Sequence, residues 1–440
     1  MKYYDTVIIG GGILGCFAAR NLRRWNISAL LIEAAEDVCT GITRANSAIV
    51  YAGYDMKPGT RKAEMTVRAN ASFDELCREL EVPFARRGSL MVAFGPEGEE
   101  SLARKLQAGQ KSKIPGLKLL SGEEARSLEP MLSENVTAAL YAPSTGTVNP
   151  WELGIAAYEN ALQNGCAATL NTRVTGIRKE DNGYCIETNR DSFACRSIVN
   201  CAGLHAAEIQ DMVCSGDTAI VTDGTDYLVM DPYIRTPEHI IFQETETGKG
   251  ITAVPCVEGN LLLESPARPL EIPFATTREG MDYTIKAASE LLPGLDTGAV
   301  IRSFGAVRPN PHRGDGSSIH DFCIERIAPD FISFIGIKTP GLTCSNELGQ
   351  YAAEAIAEAL SAAPNPDFDP HRAAISAGDD QIICQCRNIT KGQILEAVRR
   401  GATTVDGVKR RVGTGMGPCQ GSRCTYEIEK ILEECLNGTL

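Results

Sequence analysis

A glycine triplet between a strand pattern and a helix pattern, several short apolar runs in the middle, and two cysteine pairs flanking one helix together predict an α/β protein in three parts. The 440-residue chain is too long for one ordinary core, and with 43% hydrophobic and 22% charged residues it has a soluble globular composition. Its net charge of −13 argues against a nucleic-acid surface.

The first element is the apolar run Thr6 to Ile9, which reads as a strand. GGGILG and the helical pattern ILGCFAARNLRRW follow, completing the opening of a Rossmann-like unit. Gly10 allows the tight turn, Gly12 lets a pyrophosphate approach the backbone, and Gly15 lets helix and strand pack closely. The phosphates are expected on the N-terminus of the helix, where free amides and the helix dipole favour anions. A second strand, SALLIEA, carries Glu33, 18 residues beyond Gly15, placed to accept hydrogen bonds from a ribose.

Further along, IVNCAGLHA (residues 198–206) reads as a second strand and turn touching the nucleotide, through Ala202 and Gly203. This first unit resembles flavoproteins of the D-amino-acid-oxidase superfamily, whose cofactor is FAD. FAD would also meet the late turn GIKTPGLTCSNELGQYAAEAI, where Pro340, Gly341, Leu342 and Thr343 open a helix and aim amides at the ring.

The stretch GITRANSAIVYAGYDMKPGTRKAEM (residues 41–65), which includes Ser47 as a further cofactor-contact candidate, makes the resemblance more specific. With STGTVNPWEL, IVNCAGLHA and FGAVRP, it is similar to the L-2-hydroxyglutarate dehydrogenase and anaerobic glycerol-3-phosphate dehydrogenase branch. Members oxidise a C–H bond beside a hydroxyl, or in some branches an amine, by hydride transfer to FAD. That resemblance implies a small anionic substrate held by Arg308, whose planar fork suits a carboxylate or a phosphate. Arg313, His312 and Lys57 are weaker anchors on neighbouring segments.

Two departures from the branch stand out. Relatives usually carry histidine where this chain has Tyr51 in Val-Tyr-Ala-Gly, and a phenol can orient a hydroxyl but is a poor base at neutral pH. Tyr51 and Arg308 are thus the two catalytic candidates, and His205 is a further imidazole more in keeping with a packing or surface role. In TDGTDYLVMD, Asp223 and Asp226 flank an expected surface turn; facing a pocket, they would favour an amine-bearing substrate. An amine, amino-acid or opine dehydrogenase subunit therefore stays open, as does a non-catalytic electron-relay flavoprotein subunit.

The FAD-binding domain is expected to be discontinuous, from 1–75, 145–215 and 325–362. Residues 76–144 and 216–324 would form the α+β substrate domain, whose antiparallel sheet is suggested by LMVAF, DYLVMD and NLLLE. A proline-rich linker, 363–379, would wrap over the surface before a module at 380–440.

In that module Cys384 and Cys386 are separated by one residue, Cys419 and Cys424 by four, and the pairs by 32. Four convergent thiolates suit a two-iron two-sulfur cluster or a zinc, and the one-residue gap is unlike a structural zinc knuckle. The spacing, the helix KGQILEAVRR and VKRRVGTGMGPCQGSRC resemble the bacterioferritin-associated ferredoxin module, which implies a [2Fe-2S] cluster. Gly415, Gly417 and Gly421 would let the loop bend around the sulfurs.

A one-electron carrier beside a two-electron flavin implies electrons leaving to a partner, a second flavoprotein or an iron-sulfur subunit. The N-terminus lacks the pattern of a signal peptide and no apolar run is long enough to span a bilayer. The expected location is the cytoplasm, with any membrane contact peripheral, at the inner face and through the partner. Sixteen cysteines in such a chain read as reduced thiols and ligands, with Cys16, Cys201 and Cys344 in the core.

Overall fold

The computed structural model describes residues 1–245, 248–374 and 378–438. At its centre the apolar strand Lys2–Ile9 pairs in parallel with Ala29–Ile32 on one side and Ser192–Asn200 on the other. Ala167–Thr169 and Phe331–Ile335 extend the parallel set at its two ends, and an antiparallel meander from Val174 to Asn200, together with Cys323–Ala328 antiparallel to Phe331–Ile335, completes an eight-stranded sheet. Parallel strands buried on both faces need helices to cover them. Ile13–Leu22, Pro150–Gln163 and Ser345–Leu360 do so, packing together over one core that includes Phe17, Leu153 and Leu348.

A second, nine-stranded sheet is antiparallel except where Ile240–Thr245 runs parallel to Ser89–Ala93. Its spine is the long ribbon of Thr218–Met230 against Val300–Arg313. This pairing corrects one expectation. Asp223 and Asp226 sit inside a 13-residue strand rather than beside a surface turn, opposite Arg308 and Gly305. Local composition suggested a turn, but a long partner strand supplies the ladder bonds that override it.

The C-terminal module has its own small core of Ile394, Ala397, Val408, Ile428 and Ile431. Helices Lys391–Arg399, Val405–Val412 and Thr425–Leu436 surround it, and a short hairpin joins Ile382–Cys384 to Ile389–Thr390. The chain leading to it does more than wrap the surface. Arg372 is buried, its N–H donating to Glu79 O and its guanidinium to Glu159. Among the described residues, no helix is long and apolar enough to cross a membrane.

Candidate active site and cysteine centre

The glycine turn after Lys2–Ile9 is built for close approach. Gly10 holds φ at +101°, where a Cβ would stand 2.5 Å from Cys201 O, and a Cβ on Gly15 would stand 1.9 Å from Gly10 O. Only glycine fits either position. The N-terminus of Ile13–Leu22 then faces a cavity of about 410 Å³, with Gly10, Gly12 and Ile13 in its wall. Thr43 braces the turn by accepting the Ile13 N–H at 3.0 Å.

Glu33 lies in the same wall, its two oxygens accepting the N–H groups of Gly11 at 2.5 Å and Ala35 at 2.8 Å. A carboxylate has about four acceptor positions, so these two bonds fix its direction and leave capacity for ribose hydroxyls. Ala202 and Gly203 follow Ser192–Asn200 into the cavity, and Ser47, Gly341 and Leu342 close its far end. Thr343 is buried behind the wall instead. Its hydroxyl accepts the Tyr51 N–H at 3.0 Å and so sets the backbone on which Tyr51 stands.

Tyr51, Arg308 and Lys338 border both this cavity and an adjoining chamber of about 250 Å³. The chamber's charge comes from three distant segments. Glu264, buried at the end of Leu261–Glu264, stands 3.4 Å from Lys249 Nζ and 3.5 Å from an Arg308 nitrogen. Burial works against the Glu264 charge, but Lys249 and then Arg308 hold its carboxyl below the ordinary range. Burial likewise opposes the charges of Lys249 and Arg308, and Glu264 more than restores both above their usual values. Lys338 goes the other way: burial, then the nearby Arg308, draws its ammonium down. Asp55 is also in the chamber wall, where burial raises its carboxyl and Lys249 opposes the rise. Three cations thus face two carboxyls, Glu264 and Asp55, and leave a smaller local surplus of positive charge in a protein of net charge −13.

The Tyr51 ring stacks on Phe242 at 6.1 Å, and burial raises its phenol, so it stays protonated and is less available still as a base. Tyr227 stacks on Phe304 at 4.7 Å in the cavity's other wall. The remaining candidates lie elsewhere. Arg313 and Lys57 are exposed, His312 is engaged by Asn310 O and Ser318, and His205 is at the cavity edge, exposed and paired with Glu208. Neither aspartate lines either chamber. Asp226 is buried against Arg268 and Thr277, and Asp223 accepts from Asn310, which in turn accepts from Lys338.

Lys249, Glu264 and Lys338 belong to none of the sequence motifs assigned above to the substrate. Glu264 ends an apolar run and Lys249 sits in a polar hairpin, so neither carries a local signal. Lys338 was within reach, one residue before the Thr-Pro-Gly-Leu turn.

In the C-terminal module the four cysteines converge as two pairs. Cys386 and Cys419 have sulfurs 3.4 Å apart, and Cys384 lies beside Cys424, both buried. The amides of Gly421 and Arg423 point at the Cys419 sulfur and that of Gly415 at Cys424. Gly417 is required because a Cβ there would stand 2.4 Å from Cys386 Cβ. Among the described residues, no three His, Cys, Asp or Glu side chains gather as around a single ion. Two pairs of thiolates instead suit two irons, each taking one pair.

Residues 5–355 match the family model described as FAD dependent oxidoreductase, and residues 382–434 match the BFD-like [2Fe-2S] binding domain. A glycerol 3-phosphate dehydrogenase of Caloramator mitchellensis is 38% identical over 455 residues, covering 98% of this chain and 94% of that protein. The human mitochondrial L-2-hydroxyglutarate dehydrogenase is 29% identical over 244 residues, 52% of each chain. Among solved structures, the dithionite-reduced L-alpha-glycerophosphate oxidase of Mycoplasma pneumoniae with FAD bound superposes with a TM-score of 0.78 at 25% identity, covering 84% of this chain and 98% of that one.

Proposed function

Because the chain belongs to the family of FAD-dependent oxidoreductases and carries a BFD-like [2Fe-2S] binding domain, we propose that it is a dehydrogenase of a small anionic hydroxy compound, sn-glycerol 3-phosphate before an L-2-hydroxy acid. The observation that carries this reading is the surplus of positive charge that Lys249, Arg308 and Lys338 leave over Glu264 and Asp55 at the chamber. A phosphate dianion matches that surplus better than a neutral or cationic amine, and the two aspartates that would have favoured an amine are turned away from the chamber.

When bound, FAD supplies the hydride acceptor and the cluster a one-electron outlet. Arg308 anchors the substrate's anionic end through paired N–H donors, with Lys249 adding charge beside it. Glu264 keeps both cations charged and aimed. The Tyr51 hydroxyl orients the substrate hydroxyl. Lys338, held in place by Asn310, donates from its ammonium to the substrate oxygen as negative charge develops there, and the hydroxyl proton leaves to water. Phe242 and Tyr227 keep water from the reacting carbon.

The FAD-binding region is drawn from 1–75, 145–215 and 325–362, the substrate region from 76–144 and 216–324, and the module from 380–440. Cys384, Cys386, Cys419 and Cys424 hold the cluster. The cluster would supply an outlet to a second flavoprotein or iron-sulfur subunit, and the chain would work in the cytoplasm, with any membrane contact peripheral, at the inner face and through that partner.

An anaerobic visible spectrum of the purified chain tests this reading. Flavin and iron-sulfur bands that bleach with sn-glycerol 3-phosphate, and weakly or not at all with amino acids and opines, are the expected result. Bleaching by an amine alone would reverse the substrate assignment, and bands that bleach with no compound would favour a relay subunit.

A further inference from the structure

Asp37 is an acid that the chemistry above leaves unused. It follows the strand Ala29–Ile32 and is 2% exposed, yet among the described residues its carboxylate bonds none that lines either chamber. Its carboxylate instead crosses to the C-terminal module. Arg411 Nη1 and Nη2 donate to its two oxygens at 2.7 and 2.9 Å in a forked pair, and Arg410 Nη2 donates at 2.9 Å. Arg411 is itself buried, so this is a desolvated contact of fixed direction.

The two ends of that contact lead to the two centres. On one side, Cys39, two residues on, donates its N–H to Gly11 O in the glycine turn. On the other, Arg410 and Arg411 are in the last turn of Val405–Val412, which ends at the left-handed Gly413 and runs directly into the loop bearing Cys419 and Cys424. A second buried acid repeats the arrangement from Pro150–Gln163. Glu159 receives Arg372 of the connecting segment at 2.7 Å and Arg400 of Lys391–Arg399 at 2.9 Å, and lies 3.7 Å from Arg411 Nε.

We propose that Asp37 is a positioning residue for electron transfer: its forked pair with Arg411 fixes the cysteine loop of the module against the glycine turn of the flavin-binding region. The proposal rests on the reading that electrons leave the flavin through the cluster. A buried, bidentate contact suits this task because it sets orientation as well as distance, which a hydrophobic patch of equal area leaves free to slide.

The test uses the full-length protein loaded with FAD and cluster, with flavin photoreduced by a flash using EDTA as donor, so that no substrate is needed. The flavin and iron-sulfur bands are followed separately. Asp37→Asn is expected to keep FAD, iron and the flavin photoreduction rate, while transfer to the cluster slows by about tenfold or more, since small misplacements carry large rate costs. Amide exchange is expected to rise in residues 405–424. Glu244→Gln, which breaks the ion pair between buried Glu244 of the second sheet and Lys105 of the helix Pro96–Lys111, serves as the control for general loosening and is expected to leave the transfer rate unchanged. Transfer at the wild-type rate in Asp37→Asn, or equal slowing in Glu244→Gln, overturns the proposal. Should Asp37→Asn not fold, Arg411→Lys, which keeps the charge and loses the fork, is read with the same two outcomes. A wild-type protein whose cluster takes no electron from the reduced flavin refutes the reading beneath the proposal, which is a distinct result.

Discussion

At the scale of single residues, the chamber makes Arg308 and Lys338 separable. Arg308 touches the substrate's anionic end, so Arg308→Ala is expected to raise KM for sn-glycerol 3-phosphate by roughly 10- to 100-fold, the equivalent of one charged hydrogen bond, with FAD content unchanged. Steady-state kinetics alongside the flavin absorbance check this; an unchanged KM would remove Arg308 as the anchor. Lys338 is assigned to the substrate oxygen on which charge develops, so Lys338→Met should lower kcat by about 10²-fold or more. A variant that instead changes KM alone would make Lys338 a second anchor. Arg308 was legible in the sequence because FGAVRP is a recognisable motif. The glutamate that keeps it charged was not, because Glu264 reaches it only through the pairing of Leu261–Glu264 with Thr218–Met230.

At the scale of elements, the glycine turn is the most constrained piece of the chain. Gly15→Ala places a methyl 1.9 Å from Gly10 O, and strand and helix must separate to admit it. Overpacking of this kind costs about 1–3 kcal/mol, and the separation also displaces the amides that face the phosphates. Expression without bound FAD, seen as a missing flavin band and a lowered Tm, is the expected outcome, and a normal flavin content would contradict it. This element was readable because glycines at fixed offsets report backbone geometry directly. The ribbon carrying Asp223 and Asp226 was not, since Asp and Gly in sequence suggest a turn until a partner strand 14 residues long is present.

For the whole molecule, the junction between the flavin-binding region and the module is expected to respond to pH. Burial pushes the Glu152 carboxyl up to about 7, opposed by Arg372 and Arg387 and reinforced by Glu258 and Glu159. A carboxyl that binds its proton more tightly when folded stabilises the protonated fold. Stability should therefore decline as pH rises from about 4.5 to about 7 and then level, by at most about 3 kcal/mol. Glu152→Gln should abolish that decline, raising Tm at pH 8 and leaving it nearly unchanged at pH 4, as thermal melts across that range would show. Cys419→Ser should lose iron while FAD stays bound, because the two centres are built from separate cores; iron analysis with full retention would refute the ligand set.

The sequence by itself determined the features whose chemistry is local: the strand, glycine turn and helix at the N-terminus, the acid at Glu33, and the two cysteine pairs with their glycines. In the turn the interacting atoms are held at a fixed distance along the chain, so spacing is equivalent to geometry; the cysteines are recognisable by their spacing, but the fold pairs them across the gap, Cys386 with Cys419 and Cys384 with Cys424. Only the tertiary structure decided the balance of charge around Arg308, the withdrawal of both aspartates into the ribbon, and the clasp of Asp37 by Arg410 and Arg411. Those depend on segments tens to hundreds of residues apart, whose side chains meet because of strand register and helix docking, and burial then gives each meeting its strength.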